Sequence, residues 1–330
     1  MRRTARGVAL VGTVSVVCAA AVAAVAAPSI NDISGAATVG ALAQRVTPPT
    51  KPSGGSPSIG GCSVFPPDNS WNTRVDSLPL RSGSAQTIAR LTGNLHPDFG
   101  ENPEYGIPYV VVPASQQAVP ITFRDNGAEE SDPGPYPIPP DAPVEGGSDG
   151  HVLVLQQGSC RLFELDEGAR SGTGWVANWG AVFDLSSNAL RPLGWTSADA
   201  AGLPILPGLV RYDEVAAGRI DHAIRITFAQ TQRAYILPAT HFASSRTDPV
   251  LPPMGLRLRL RSDFDISGLP PQARVIATAM KEYGVIVADN GSNWFFQGAP
   301  SVSWNDDDLG TLKDIPGSVF EVVYTGDPHS

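Results

Sequence analysis

Asp149 and His151 stand two residues apart at the head of the apolar run VLVL, and no other pair in the chain suggests chemistry as directly. In an extended strand that spacing puts both side chains on one face. A carboxylate beside an imidazole fixes its tautomer and raises its basicity, as a general base requires. The competing structural reading is that Asp149 only caps the turn built from Gly146, Gly147 and Gly150. Asp289 is a second candidate, because YGVIVADN carries an apolar strand into Asp289-Asn290-Gly291 and then into aromatics. An Asx-type turn would use the same tripeptide.

The chain has only five histidines, and besides His151 two more fall on strand-like stretches: His222 in RIDHAIRITF and His241 in RAYILPATHF. His222 shares a face with Ile220, Ile224, Ile226 and Phe228, where a lone histidine is more often a hydrogen-bonded core residue. The expected catalytic set is Asp149, His151, His222 and Asp289. Two carboxyl groups flanking a glycosidic bond hydrolyse it, with Glu164, Asp213 and Glu214 as further strand-end candidates. A lyase would instead need a His or Tyr base and an arginine to neutralise a uronate. Arg211, Tyr212, Trp195, His241, Asn290 and Trp294 are the expected substrate contacts. Tryptophan faces stack on sugar rings, and two or three of the six tryptophans are expected at the surface near the site.

Other chemistries lack a pattern. The histidines show no short metal-ligand spacing, so no metal is expected at His151, His222 and His241. Asp306, Asp307 and Asp308 in WNDDDL read as a helix start rather than a calcium loop. There is no phosphate or dinucleotide loop, no CxxC and no GxSxG elbow, and no cofactor is expected.

Strands must position these residues. VLVL and RLFEL, joined at Gln156–Ser159, read as a hairpin. IPYVVVP, AVPITF, WVANWGAVFDL, RIDHAIRITF, RAYILPATHF, GLRLRLR, YGVIVADN and SVFEVVYT read as further strands. In GLRLRLR, Arg257, Arg259 and Arg261 alternate with leucines, the mark of a half-exposed strand. SAQTIARL makes a short helix, TSADAAGLP a single helical turn, and PPQARVIATAMKEYG the one convincing helix. A long acidic, proline-rich loop, DNGAEESDPGPYPIPPDAPVEGG, delivers the chain to Asp149. The expected fold is all-β: a two-sheet β-sandwich of jelly-roll type with one packed helix and long loops.

Composition agrees with many short strands and turns: 42% hydrophobic, 17% charged, with Gly 34 and Pro 31. A net charge of -9 without a basic block excludes nucleic acid as a partner. MRRTARG followed by an apolar stretch and small residues reads as a signal peptide over 1–27, so the mature chain is expected to have no stable membrane insertion. Residues 28–61 are a Pro/Gly/Ser-rich flexible tether, and 62–330 a single β-sandwich domain. Cys18 lies in the leader. Cys62 and Cys160 remain as an even pair in an exported chain, and a disulfide is expected between them.

The blocks SDGHVLVL, GRIDHAIRIT, PPMGLRLRL and YGVIVADNG, in this order, resemble those of a group of secreted bacterial proteins of actinobacterial type. That group has no assigned activity. The resemblance covers most of the chain from Cys62 onward, implies a secreted domain and transfers no catalytic residue. The expectation is therefore a secreted or cell-surface-associated protein that cleaves an extracellular polysaccharide or cell-wall glycan as a glycoside hydrolase or lyase. The rival is a non-catalytic glycan-binding or cell-envelope module.

Overall fold

The computed structural model describes residues 55–330. The leader, Cys18 and most of the tether lie outside the described residues. The tether's last residues do not: β1 (Ser58–Ile59) and β2 (Cys62–Ser63) pair with each other and bury Ile59, so regular structure begins before Cys62. In chain order there follow α1 (Ser84–Arg90), β3 (His96–Asp98), β4 (Tyr109–Val112), β5 (Ile121–Phe123), β6 (Val152–Gln156) and β7 (Arg161–Leu165). Then come β8 (Ala169–Ser171), β9 (Gly174–Ala177), β10 (Gly180–Asp184), α2 (Tyr212–Ala216), β11 (Ile224–Phe228) and β12 (Arg257–Leu260). The chain closes with α3 (Pro271–Glu282), β13 (Val285–Asn290), β14 (Phe295–Gln297), α4 (Asp306–Gly310) and β15 (Phe320–Val322).

The protein is mostly β with few helices, and its principal sheets are arranged around the hairpin β6–β7. That hairpin pairs antiparallel from Val152↔Leu165 to Gln156↔Arg161 and lies inside the sheet β10-β7-β6-β4. Both faces of this sheet are covered. Leu153, Leu155 and Leu162 enter a large core shared with β11, β12, β13 and α3. Val152, Val154, Phe163 and Leu165 enter a second core with Tyr136, Ile138 and Trp175. Burial on both sides explains why VLVL is continuously apolar rather than alternating.

The second large sheet has the order β15-β12-β13-β11-β14-β3, and the third is β5-β9-β8. The pairings β11–β13, β14–β3, β4–β6 and β5–β9 are parallel, whereas a jelly roll is antiparallel throughout. The β-rich expectation is met. The antiparallel sandwich is not the pairing observed, because α3 and long irregular connections carry the chain back so that strands can run side by side.

Local departures have local causes. WVANWGAVFDL splits into β9 and β10, which belong to different sheets. RAYILPATHF forms no strand; Tyr235 makes only isolated bridges, and a cis Leu237–Pro238 bond follows. The 196–203 stretch is a turn held by side chains rather than helix, with Ser197 Oγ donating to the Leu203 carbonyl at 2.6 Å. Helix α3 is as expected, with Pro271 in its first turn and Ala273, Ile276, Ala277 and Met280 buried. Beyond its C-cap Tyr283 comes Gly284, whose φ of 69° and a virtual Cβ 2.2 Å from the Leu258 carbonyl admit only glycine. Asn305 caps α4 by accepting from the Asp307 and Asp308 amides.

The arginine stripe of β12 is not a solvent face. Arg257 is buried and donates to the carbonyls of Tyr283 at 2.8 Å, Ser70 at 2.9 Å and Thr73 at 2.9 Å. Arg259 reaches Glu321 and the carbonyls of Val75 and Leu78, and only Arg261 is exposed. Burial without a carboxylate partner pushes the Arg257 guanidinium down to about 9. Arg257→Met leaves carbonyls of two irregular segments unpaired and should destabilise the fold by about 3 kcal/mol, read as a lowered denaturant midpoint with an unchanged slope.

Cys62 and Cys160 form the expected disulfide, across a sequence separation of 98. In the chain-entropy account a loop of that size contributes roughly 4–5 kcal/mol. It ties β2 to the start of β7. Among the described residues no helix is long and apolar enough to cross a membrane.

Candidate functional site

Polar side chains converge where the end of the β6–β7 hairpin meets the face of the six-stranded sheet. Arg225 on β11 forms the base of this cluster. It is buried and donates to both carboxylate oxygens of Asp199, at 3.2 and 3.0 Å, and to Gln297 Oε1 on β14 at 2.7 Å. Asp199 is itself buried, delivered by the 196–203 turn: Ser197 Oγ accepts its amide at 2.9 Å, while Arg191 donates to the Thr196 carbonyl at 2.7 Å. Asp289, at the end of β13, brings a carboxylate oxygen to 3.9 Å from the same guanidinium, with its side chain 25% exposed.

From the opposing hairpin comes His151. Its Nδ1 is hydrogen-bonded to Glu145 and its Nε2 lies 2.9 Å from the Ala198 carbonyl. Asp166, just past β7, places an oxygen 3.9 Å from Nε2. Glu145 and Asp166 are each partly open to solvent, with side-chain exposures of 16% and 18%. Asp98 on β3 adds a half-buried carboxyl that feels the charges of Glu145 and Arg225.

The electrostatics follow from this placement. Burial, reinforced by the neighbouring Asp199 carboxylate, pushes the Asp289 carboxyl up to about 7. Burial likewise raises Asp166 to about 6, helped by Glu167, Asp149 and Asp289 and opposed by His151. For His151, burial alone would disfavour the cation, but the Glu145 carboxylate outweighs it and lifts the imidazole to about 9. At neutral pH His151 is thus a fixed imidazolium donating from both ring nitrogens, not a free base.

The shifts carry a stability signature. His151 is raised from 6.5 to about 9, so its stabilisation is complete below 6.5 and lost as pH climbs through about 9. Asp289 is raised from 3.8 to about 7, and its contribution is also lost on raising pH, over a lower window. The melting temperature should therefore fall from mildly acidic to alkaline pH. The gap between wild type and His151→Gln, on the order of 3 kcal/mol near neutrality, should narrow above the histidine's titration. A gap that stays constant with pH would show that no proton is held there.

The expected residues divide. His151 and Asp289 come together, from different sheets. Asp149 is exposed at the rim and accepts from Ser148 Oγ at 2.9 Å. It does not pair with His151, because β6 begins only at Val152 and Gly150 turns the backbone at φ 51°, breaking the two-residue alternation. The carboxylate on His151 is Glu145 instead. Asn290 and His241 border the site: Asn290 Oδ1 accepts from Thr231 at 2.7 Å, and His241 Nδ1 lies 2.8 Å from the Ala200 carbonyl, one residue from Asp199. Trp195 is half-buried on the loop that leads to Asp199.

His222 is elsewhere. It precedes β11, is buried, and its ring bonds to the Ala223 carbonyl at 2.7 Å and Glu214 at 3.1 Å. Glu214 also pairs with buried Arg211 at 2.5 Å, and Tyr212 packs edge-on against Trp304. Thus His222, Arg211 and Tyr212 anchor α2 rather than line the site. Trp294 is likewise core, donating to the Leu91 carbonyl at 2.7 Å between Phe228 and Phe320. Of the six tryptophans only Trp179 and Trp195 are even partly exposed, while Trp71, Trp175, Trp294 and Trp304 are buried. Glu164 is buried and accepts the Ile205 and Leu206 amides, a structural use.

Both ring nitrogens of His151 and of His222 are engaged, and no group of three or more His, Cys, Asp or Glu among the described residues is arranged to hold a metal. The residues that sequence reading passed over are Asp98, Glu145, Asp166, Asp199, Arg225 and Gln297. Alternation puts Arg225 and Thr227 on the face of their strand opposite His222, yet β11 is buried on both faces.

Compared with family models, curated proteins and solved structures, the chain finds no match.

Proposed function

We propose that this protein is an exported enzyme that cleaves a glycan, with Asp289 as general acid and Asp166 as base or nucleophile. The observation that carries the reading is the pair itself: two partly open carboxyls from opposing sheets, one raised to about 7 and the other to about 6. Between those values one is protonated while the other is ionised, the division of labour that glycoside hydrolysis requires. His151 supplies fixed positive charge beside Asp166 that keeps this ionised member stable.

The same geometry favours a hydrolase over a lyase. A lyase base must be free to take a proton, but the His151 imidazolium is held by Glu145 and the Ala198 carbonyl. Its arginine must meet a uronate, but Arg225 is already paired with Asp199. Export is supported by the signal-like leader, by the disulfide, and by the likeness of the SDGH, GRIDHAIRIT and YGVIVADNG blocks to secreted actinobacterial proteins, with which we group this chain. Its partner is then an extracellular polysaccharide or cell-wall glycan.

The purified protein should be screened against plant and bacterial polysaccharides for new reducing ends and for the ultraviolet absorbance of unsaturated uronates. Hydrolysis predicts the first signal without the second, and a bell-shaped dependence of kcat/KM with limbs near about 6 and about 7. Binding without release of ends would identify a non-catalytic glycan module instead.

A further inference from the structure

The face of the six-stranded sheet that carries Asp289 and Arg225 continues outward to its edge strand. Two rows of side chains cross it in register. In one, Asp289, Thr227, Phe295 and His96 are successive partners on β13, β11, β14 and β3. In the other, Gln297 is the partner of Asp98 and bonds to Arg225. Residues in register share a face, and between Asp289 and the edge that face is covered at Thr227, which is buried and donates to the Ser292 carbonyl at 2.9 Å. At that edge the His96 and Phe295 rings stack, with centroids 3.9 Å apart and planes at 11°. His96 then opens onto a cavity of about 350 Å³, lined also by Asp98, Tyr105, Asp306 and Lys313. Tyr105 is 60% exposed and has its ring free at the mouth.

We infer that the partly open carboxyls and the cavity at this edge form the substrate track, that it binds a glycan bearing no carboxylate or sulfate, and that one sugar ring stacks on the His96–Phe295 pair on the way to the cavity. The inference rests on the glycan-cleaving reading above. Three observations support it. Asp98 joins the cavity to the site, because it lines the cavity and feels the charges of Glu145 and Arg225. A flat aromatic pair beside hydrogen-bonding carboxyls is the surface that sugar rings recognise, through their apolar faces and their hydroxyls. Along the track the carboxyls of Asp98, Glu145, Asp166, Asp289 and Asp306 outnumber the cations, and Arg225 and His151 are already committed to acidic partners. A polyuronate or sulfated chain would meet uncompensated like charge, which costs affinity at every repeat. Burial and Lys313 lower the proton affinity of His96, and Asp98 opposes them.

The test uses the full exported chain with xylan, a neutral β-glucan and chitosan against polygalacturonate, alginate and hyaluronan. Calorimetry or affinity electrophoresis should show binding to members of the first group only. His96→Ala and, independently, the surface change Tyr105→Ala should each raise KM about tenfold with kcat and melting temperature little changed. Asp289→Asn should bind as well as wild type and not turn over. Preferential binding of a polyuronate overturns the assignment, as does an unchanged KM in both aromatic variants. Those results leave cleavage by Asp289 standing. Conversely, binding that the aromatic variants weaken, in a protein that cleaves nothing, keeps the track and removes the catalytic reading.

Discussion

Asp289→Asn is expected to lower kcat on the cleaved glycan by a factor of about 10²–10⁴, while the melting temperature near pH 8 stays the same or rises. The rate falls because the amide has the shape of the carboxyl but no proton to give. Stability does not suffer, because the ionised carboxylate is an unfavourable tenant. Burial and the Asp199 charge are what push it up to about 7, so above that pH wild type holds a poorly compensated negative charge. An asparagine carries none. Activity and stability moving in opposite directions distinguishes a functional carboxyl from a structural one. A variant that loses both would place Asp289 among residues that merely hold the strand end.

Asp199→Ala should have the largest effect on folding, about 3–5 kcal/mol of destabilisation by denaturant titration. Both partners of this ion pair are buried, so removing the carboxylate strands the Arg225 guanidinium away from water with only Gln297 as a side-chain hydrogen-bond acceptor. The nearest remaining negative group is Asp289, at 3.9 Å. In the variant that carboxyl should lose the repulsion from Asp199 and gain the arginine's attraction, so its proton affinity falls. The alkaline limb of the pH–rate profile should then move to lower pH. Asp199→Asn, which keeps the side chain's shape, should show the same shift with a smaller loss of stability. A shift absent from both variants would mean that Arg225 does not set the protonation of Asp289.

Much of the scaffold was legible in the chain. The β6–β7 hairpin, α1, α3, the capped start of α4 and the Cys62–Cys160 bridge each rest on short-range or compositional signals: an apolar run closed by a turn, a proline at a helix start, an Asn cap, an even cysteine pair. The site was legible only in part. Asp289 could be read because an apolar strand runs straight into it, and His151 because it heads another. Glu145 was hidden in an acidic loop with many carboxylates, and nothing in its spacing singles it out as the partner of His151. Asp199 sits in a turn whose shape depends on Ser197 and Arg191, contacts that no period of two or 3.6 encodes.

Arg225 was missed for a physical reason. Alternation gives the two faces of a strand but not what covers them, and here the 196–203 turn sets Asp199 against the face that a polar residue would normally show to water. Arg257 was misplaced in the same way, with the irregular 66–78 segment lying over it. The error with His222 is simpler. An imidazole on an apolar face was already the mark of a core residue, and Glu214 supplies its bond.

Catalysis at this site requires one physical state: a carboxyl at the end of β13 that keeps its proton near neutrality because it is crowded by buried charge. Carboxyl-carbon NMR of aspartate-labelled protein measures this without any substrate. One resonance should titrate near about 7 and vanish in Asp289→Asn, and a second near about 6 should vanish in Asp166→Asn. If instead every aspartate of the wild-type protein titrates in the ordinary range around pH 4, the two carboxyls are not held together and the site proposed here does not exist.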